Sequence, residues 1–157
     1  MARLDQIKLL LLDVDGTLTD AGVYVLEDGS QFKKFNARDG IGIKLARKAG
    51  IEVGIISHSL VTGMVESRAE MLGMKYVYVG QEPKMNVLRD WMKELNLTAQ
   101  EVAFIGDDVN DAAIMDFVGV SACPSDAVKA IKAIATYELT LKGGEGCVRE
   151  FIDQYLL

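Results

Sequence analysis

A chain of 157 residues is long enough for one domain with a sizeable core. Half of its residues are hydrophobic and a quarter are charged, a globular balance that excludes a disordered or fibrous chain. The net charge of -6 argues against nucleic acid as a partner, because a phosphate backbone calls for a basic face, but it permits a cation.

From the N-terminus, "MARLDQIK" lacks the apolar stretch of a signal peptide, and no later run approaches the roughly 18 residues of a membrane span. A cytoplasmic protein with no membrane partner is therefore expected. "IKLLLL" then reads as a buried strand, and it runs directly into Asp13 and Asp15. "GVYVLEDGSQFKKF" follows, two strand-like stretches about an Asp-Gly pair, which predicts a hairpin at about 22–36. With Val23, Val25, Phe32 and Phe35 to bury, so short a hairpin is marginal alone and is expected to pack on another subunit.

Strand and helix signals alternate from there on. "GIGIKLARKAG" predicts a helix ending on Gly50, "IEVGII" a strand, Val61 to Leu72 a helix ending on Gly73, and "KYVYVG" a strand. "KMNVLRDWMKELN" predicts a helix, Thr98 to Glu101 a capping box, and "VAFIGD" and "GVSA" strands. Further helices are expected from near Asn110 and Ser125 and through "CVREFIDQYLL". This alternation predicts an α/β fold, a doubly wound, mainly parallel sheet with the hairpin inserted after the first strand, in one domain over residues 1–157. Cys123 and Cys147 suit two buried thiols rather than a zinc site or disulfide framework.

The acidic motifs carry the chemistry. If the first strand continues, Asp13 and Asp15 face one crevice about 7 Å apart, at the carboxyl edge where open parallel sheets bind ligands. Taken alone, Asp15 could equally cap a turn with Gly16. A second strand, however, delivers Asp107, Asp108 and Asp111 to the same edge, and acids gathered from two strands need a counter-ion. Mg²⁺, a hard cation held by carboxylates, other oxygens and a substrate phosphate, is the natural one. Asp108 and Asp111 could also be a solvated helix start. Ser57 ends the strand "IEVGII", where its hydroxyl can donate to a phosphoryl oxygen or cap a helix. Lys84 opens a helix, where the dipole disfavours a cation, so its charge needs a partner.

The order of acid pair, hydroxyl, lysine and acid cluster, through "DVDGT", Ser57, Lys84 and "GDDVND", resembles the haloacid dehalogenase superfamily of aspartyl-phosphate phosphatases. "KKFNARDGIGIK", "RAEMLG" and "GGEGCVREF" resemble its small capless subfamily that hydrolyses 3-deoxy-D-manno-octulosonate 8-phosphate, with the nonulosonate 9-phosphate phosphatases (KDN or N-acetylneuraminate) close by. The resemblance implies Asp13 as nucleophile and Asp15 as acid and then base. It implies Mg²⁺ on Asp13, Asp107 and the Asp15 carbonyl, with Ser57 and Lys84 orienting the phosphoryl group. Asp108 and Asp111 would fix those ligands and Lys84. The loop Asn36, Ala37, Arg38, Asp39 and Gly40, with Lys44, Ser59 and Arg68, would contact the sugar acid. It also implies a homotetramer in which the hairpin of one subunit and the C-terminal region of another close the site.

Three positions depart from the pattern. Ser57-His58-Ser59 stands where the family often has Gly and then Arg or Glu after the hydroxyl residue. Arg68 lies one residue further from Ser57 than usual, and Glu145 replaces an arginine in "GGEG". The chain stops at Leu157, so no long tail is expected to close a neighbour's site. His58, the only histidine, is expected to bind phosphate through its backbone N–H while its ring lines the pocket.

Rival readings are a phospho-acceptor signalling domain and a non-catalytic oligomerisation module. Signalling receivers use the same ingredients in another order, with the acceptor aspartate after their third strand, whereas here that strand runs into "QEPK". Intact Asp13, Asp15 and Asp107 argue against a decayed module.

Overall fold

The computed structural model describes residues 3–157. Strand β1 (Leu9–Leu12) is followed by a hairpin of β2 (Tyr24–Val25) and β3 (Gln31–Phe32). Next come helix α1 (Ala37–Lys48), β4 (Glu52–Ser57), α2 (Thr62–Met71), β5 (Tyr76–Val79), α3 (Lys84–Leu95) and β6 (Val102–Ile105). The chain closes with α4 (Ala112–Phe117), β7 (Val120–Cys123), α5 (Lys129–Lys132), β8 (Tyr137–Glu138) and α6 (Cys147–Phe151), which continues as a wider turn over Ile152–Leu156.

Six strands form one parallel sheet in the order β5-β4-β1-β6-β7-β8. β1 lies at its centre because all four of its leucines are fully buried, alternating between the two faces. Leu10 and Leu12 pack with Ile43 of α1, Val65 of α2 and Phe151 of α6, while Leu9 and Leu11 pack with Leu88 of α3, Ile114 of α4 and Ile131 of α5. Truncating any of these leucines to alanine removes packing worth about 2–5 kcal/mol. From β1 the chain builds outward through β4 and β5, then crosses back to β6 on the other side of β1. The switch point therefore lies between β1 and β6, in register as Leu12↔Ile105, and the two acidic motifs follow these strands. Among the described residues, no helix is long and apolar enough to cross a membrane.

The predicted strands and the three central helices are all present, and β8 is an added edge strand of two residues. The hairpin forms about Asp28-Gly29, with Gly29 at φ +85°. The capping box at Thr98 and Glu101 is present over a short 3-10 turn. One boundary differs in a way that bears on function. Asn36 caps α1, its side chain accepting from the Arg38 N–H at 2.8 Å, so residues 37–40 are the first turn of a helix rather than a loop.

Candidate active site

β1 ends at Leu12, and the chain turns at once: the N–H groups of Thr17, Leu18 and Thr19 all converge on the Val14 carbonyl at 3.0–3.1 Å. The strand geometry expected to carry Asp13 and Asp15 is thus replaced by a turn, and the two carboxylates take different partners. Asp13 is buried and accepts from Lys84 Nζ at 2.8 Å. Asp15 is half-exposed and faces Lys33 at 2.5 Å and the Ser59 hydroxyl at 2.7 Å.

Asp13 is joined by Asp107 and Asp111, with one carboxylate oxygen of each within 4.8 Å of the others. Asp107 reaches this place because Gly106 and Gly16 leave room. A side chain at Gly16, which adopts φ +87°, would run into the Asp107 carboxylate, and one at Gly106 into that of Asp111. "GGEG" seals the other side, since Gly143 packs on the Gly16 carbonyl and the Gly144 N–H donates to Thr17 O at 3.1 Å.

Lys84 is the cation of this floor. Its ammonium is 2.8 Å from Asp13 and 2.7 Å from Asp111, which explains a lysine at a helix start. Burial acts to lower its pKa, but the charges and hydrogen bonds of Asp13 and Asp111 outweigh burial and hold it above the ordinary lysine range. Asp111 is fully engaged: Oδ1 takes Lys84 while Oδ2 accepts from the N–H groups of Asp107 and Asp108 at 3.0 and 3.4 Å. Asp108 is exposed and caps the turn at Val109.

Two buried carboxylates and a half-buried third against one ammonium leave negative charge uncompensated. Burial, then the hydrogen bond and charge of Asp13, push Asp107 up to about 9, and burial, then the Asp13 charge, raise Asp111 to about 6. Asp107 Oδ1 is buried with no hydrogen-bond partner among the described residues. An orphaned carboxylate oxygen beside a second carboxylate is what a hard divalent cation fits, and Asp13 and Asp107 are the groups with oxygens to spare. Asp111, spent on Lys84 and two backbone amides, is a support for this pair.

Ser57 is buried at the end of β4, its Oγ accepting from the Ser59 N–H at 3.1 Å, which leaves its own O–H to donate. The register Leu12↔Ile55 carries it to the same sheet edge as Asp13. The His58 ring does not line this floor: Nε2 meets the Glu82 carbonyl at 2.7 Å and braces the loop before Lys84.

The residues expected to contact a sugar divide. Asn36 is the α1 cap and also donates to Gly144 O at 3.3 Å. Asp39 is buried, accepts from the Arg149 N–H at 2.9 Å, and is raised to about 6 by burial. It ties α1 to α6, and its place in the core runs against a direct sugar contact. Gly40 is buried where a side chain would meet the Arg68 guanidinium at 2.7 Å. Ala37, Arg38 and Lys44 are exposed, and Lys44 shares a groove of about 170 Å³ with Arg68, which stacks over Phe35. Ser59 is buried on Asp15 rather than presented outward. Lys33 escaped the sequence reading altogether: a lysine in "QFKKF" looks like hairpin surface, and only the fold turns it inward.

A larger apolar groove, about 370 Å³, runs between the hairpin and α2 from Lys33 to Arg68. The whole arrangement is a charged, buried floor at the sheet edge beneath an open, apolar rim.

Comparisons with known proteins agree with this geometry. Residues 76–152 match the haloacid dehalogenase-like hydrolase family. The 3-deoxy-D-manno-octulosonate 8-phosphate phosphatase KdsC of Escherichia coli (strain B / BL21-DE3) is 40% identical over 157 residues, covering 100% of this chain and 83% of the relative. The chain belongs to the haloacid dehalogenase-like hydrolases. It is a phosphatase, and its mainly parallel sheet without a cap domain is that of its structural neighbours. The crystal structure of the Yersinia pestis 3-deoxy-D-manno-octulosonate 8-phosphate phosphatase superposes with a TM-score of 0.94 at 37% identity, covering 98% of this phosphatase and 83% of that chain. The Moraxella catarrhalis enzyme, solved in complex with magnesium ion, phosphate ion and a KDO molecule, gives 0.92 at 31% identity, covering 98% and 87%.

Proposed function

We propose that this phosphatase hydrolyses 3-deoxy-D-manno-octulosonate 8-phosphate with Mg²⁺, through an aspartyl-phosphate on Asp13. The observation that carries the reading is the Asp13–Asp107 pair, one oxygen of it buried and unpartnered, set against Lys84. The identity of the relatives and the ligands named for the Moraxella enzyme support the substrate and the metal.

Asp13 attacks phosphorus, its P–O bond forming as the sugar oxygen departs. Asp15 protonates that oxygen and then takes a proton from the hydrolytic water, which releases phosphate and restores Asp13. Lys84 and the Ser57 hydroxyl hold the phosphoryl oxygens in line, positioning and charge being most of what such a transfer requires. Asp13, Asp107 and the Asp15 carbonyl would hold Mg²⁺, which supplies positive charge against the phosphoryl oxygens when bound. Asp111 keeps Lys84 in place, and Asp108 keeps the turn. Lys44 and Arg68, the exposed and half-buried cations of the rim, suit the sugar carboxylate.

We read residues 1–157 as one capless domain that assembles as a homotetramer. Val23, Val25, Leu26 and Phe32, each about half-exposed or more, give the hairpin an apolar face for a second copy. Such a cover would also exclude water from the covalent intermediate.

Asp13→Asn should lower turnover on the order of 10⁴-fold or more without unfolding the chain. Near-normal turnover would sink the nucleophile assignment. A kcat/KM panel of octulosonate 8-phosphate, nonulosonate 9-phosphates and simple aryl phosphates should rank the first highest; a preference for aryl phosphates would overturn the sugar-acid reading.

A further inference from the structure

The two carboxylates of "DVDG" are held by different cations. Asp13 belongs to Lys84, whereas Asp15 is gripped from two separate elements at once. Oδ1 pairs with Lys33 Nζ at 2.5 Å, and Oδ2 accepts from Ser59 Oγ at 2.7 Å. Lys33 directly follows β3, and its side chain is only 14% exposed although its hairpin neighbours Phe32 and Lys34 lie open. Ser59 lies two residues past β4, buried, with its N–H anchored on Ser57 Oγ. Asp15 itself sits on a turn with 45% of its side chain exposed. A carboxylate so placed would sample several rotamers unless something selected one.

We infer that Lys33 and Ser59 are positioning residues that aim the Asp15 carboxyl at the departing sugar oxygen. The inference rests on Asp15 acting as the acid. An acid on a turn must be pointed as well as present, since an error of about 1 Å in placement can cost about 10²-fold. Two contacts from independent elements, on opposite oxygens, fix both the torsion of the side chain and the face it offers. The hairpin thereby becomes part of the catalytic apparatus, because its lysine reaches the acid. The departure at position 59 also acquires a purpose, because its short hydroxyl reaches Asp15 directly.

The test separates proton delivery from everything else. A poor leaving group such as a sugar alkoxide needs a proton, whereas p-nitrophenolate does not. We would measure kcat on a primary alkyl phosphate and on p-nitrophenyl phosphate for wild type, Lys33→Met, Ser59→Ala, Ser59→Thr and Asp15→Asn. Lys33→Met and Ser59→Ala should each lower the alkyl-to-aryl ratio of kcat about tenfold or more, and Ser59→Thr, which keeps the hydroxyl, should restore most of it. Asp15→Asn should lower the ratio by about 10²–10⁴. If Asp15→Asn leaves the ratio unchanged, the acid assignment falls and this inference with it. If Asp15→Asn lowers the ratio but Lys33→Met and Ser59→Ala slow both substrates equally, or change KM alone, only the positioning role is overturned.

Discussion

The floor and the rim of this site are built on opposite terms. On the floor, Asp13, Lys84 and Asp111 are 5%, 3% and 0% exposed and answer one another's charges, so each is held by what the chain itself supplies. At the rim, Val23 and Val25 are 75% and 58% exposed and Lys44 is open to solvent, so little within the chain holds them. A buried ion pair tolerates no missing member, whereas an open face tolerates most changes until something docks on it. The contrast predicts where substitutions should hurt.

The largest effect should come from Lys84→Met, which strands two buried carboxylates. Urea titration should show a loss of about 3–5 kcal/mol, and turnover should fall on the order of 10³-fold. Wild-type stability in this variant would mean that the floor is not the closed charge network described.

Metal removal should reveal the surplus charge. Asp107 has its folded-state pKa raised to about 9, mainly by burial and then by Asp13, so the folded chain binds this proton more tightly than the unfolded chain does. Stability without metal should therefore fall as pH rises from about 4 toward 9. Asp39 and Asp111, raised to about 6, add the same sign only at the lower end, and the Cys123 and Cys147 thiols, raised by burial, add it only above about pH 8, leaving the slope between about pH 6 and 8 to Asp107. Lys84 does not intrude, because a raised lysine contributes fully below its unfolded pKa of about 10.4. Thermal melts in chelator should fall across about pH 6–8, and saturating Mg²⁺ should flatten the slope and raise every melt. A flat profile in chelator would contradict the assignment.

The smallest effect on the isolated fold should come from the hairpin. Val25→Ser with Phe32→Ser should change monomer stability by about 0.5 kcal/mol or less at each position. Sedimentation should nevertheless shift from tetramer toward smaller species. A wild-type protein that sediments as a stable monomer would remove the proposed assembly.

The same contrast governs what could be read from the residues alone. Asp13, Asp107 and Lys84 were legible because buried strands ending in acids, and a cation at a helix start, are local oddities that demand a local answer. A contact of Asp111 with Lys84 was likewise expected, and the structure places them 2.7 Å apart. The divergence of Asp15 from Asp13 was not legible, since it depends on a turn closing on the Val14 carbonyl just where the strand would have continued. Asn36 to Gly40 was a loop by the family resemblance alone, with the helix signal beginning only at "GIGIKLARKAG". In the fold, Gly40 and Gly42 instead admit Arg68 and Arg149 against α1. Lys33 carried no signal, and Ser59 pointed to the sugar rather than to Asp15, because that partner is 18 and 44 residues away.

The central claim is that Asp13 takes the phosphoryl group before water does. The stereochemical course at phosphorus tests this most directly, using a phosphorothioate monoester made chiral with one heavy oxygen isotope and hydrolysed by the wild-type enzyme and Mg²⁺ in water labelled with the other. Two successive in-line displacements, on Asp13 and then on water, predict retention of configuration. Inversion would mean a single direct attack by water and would contradict the account.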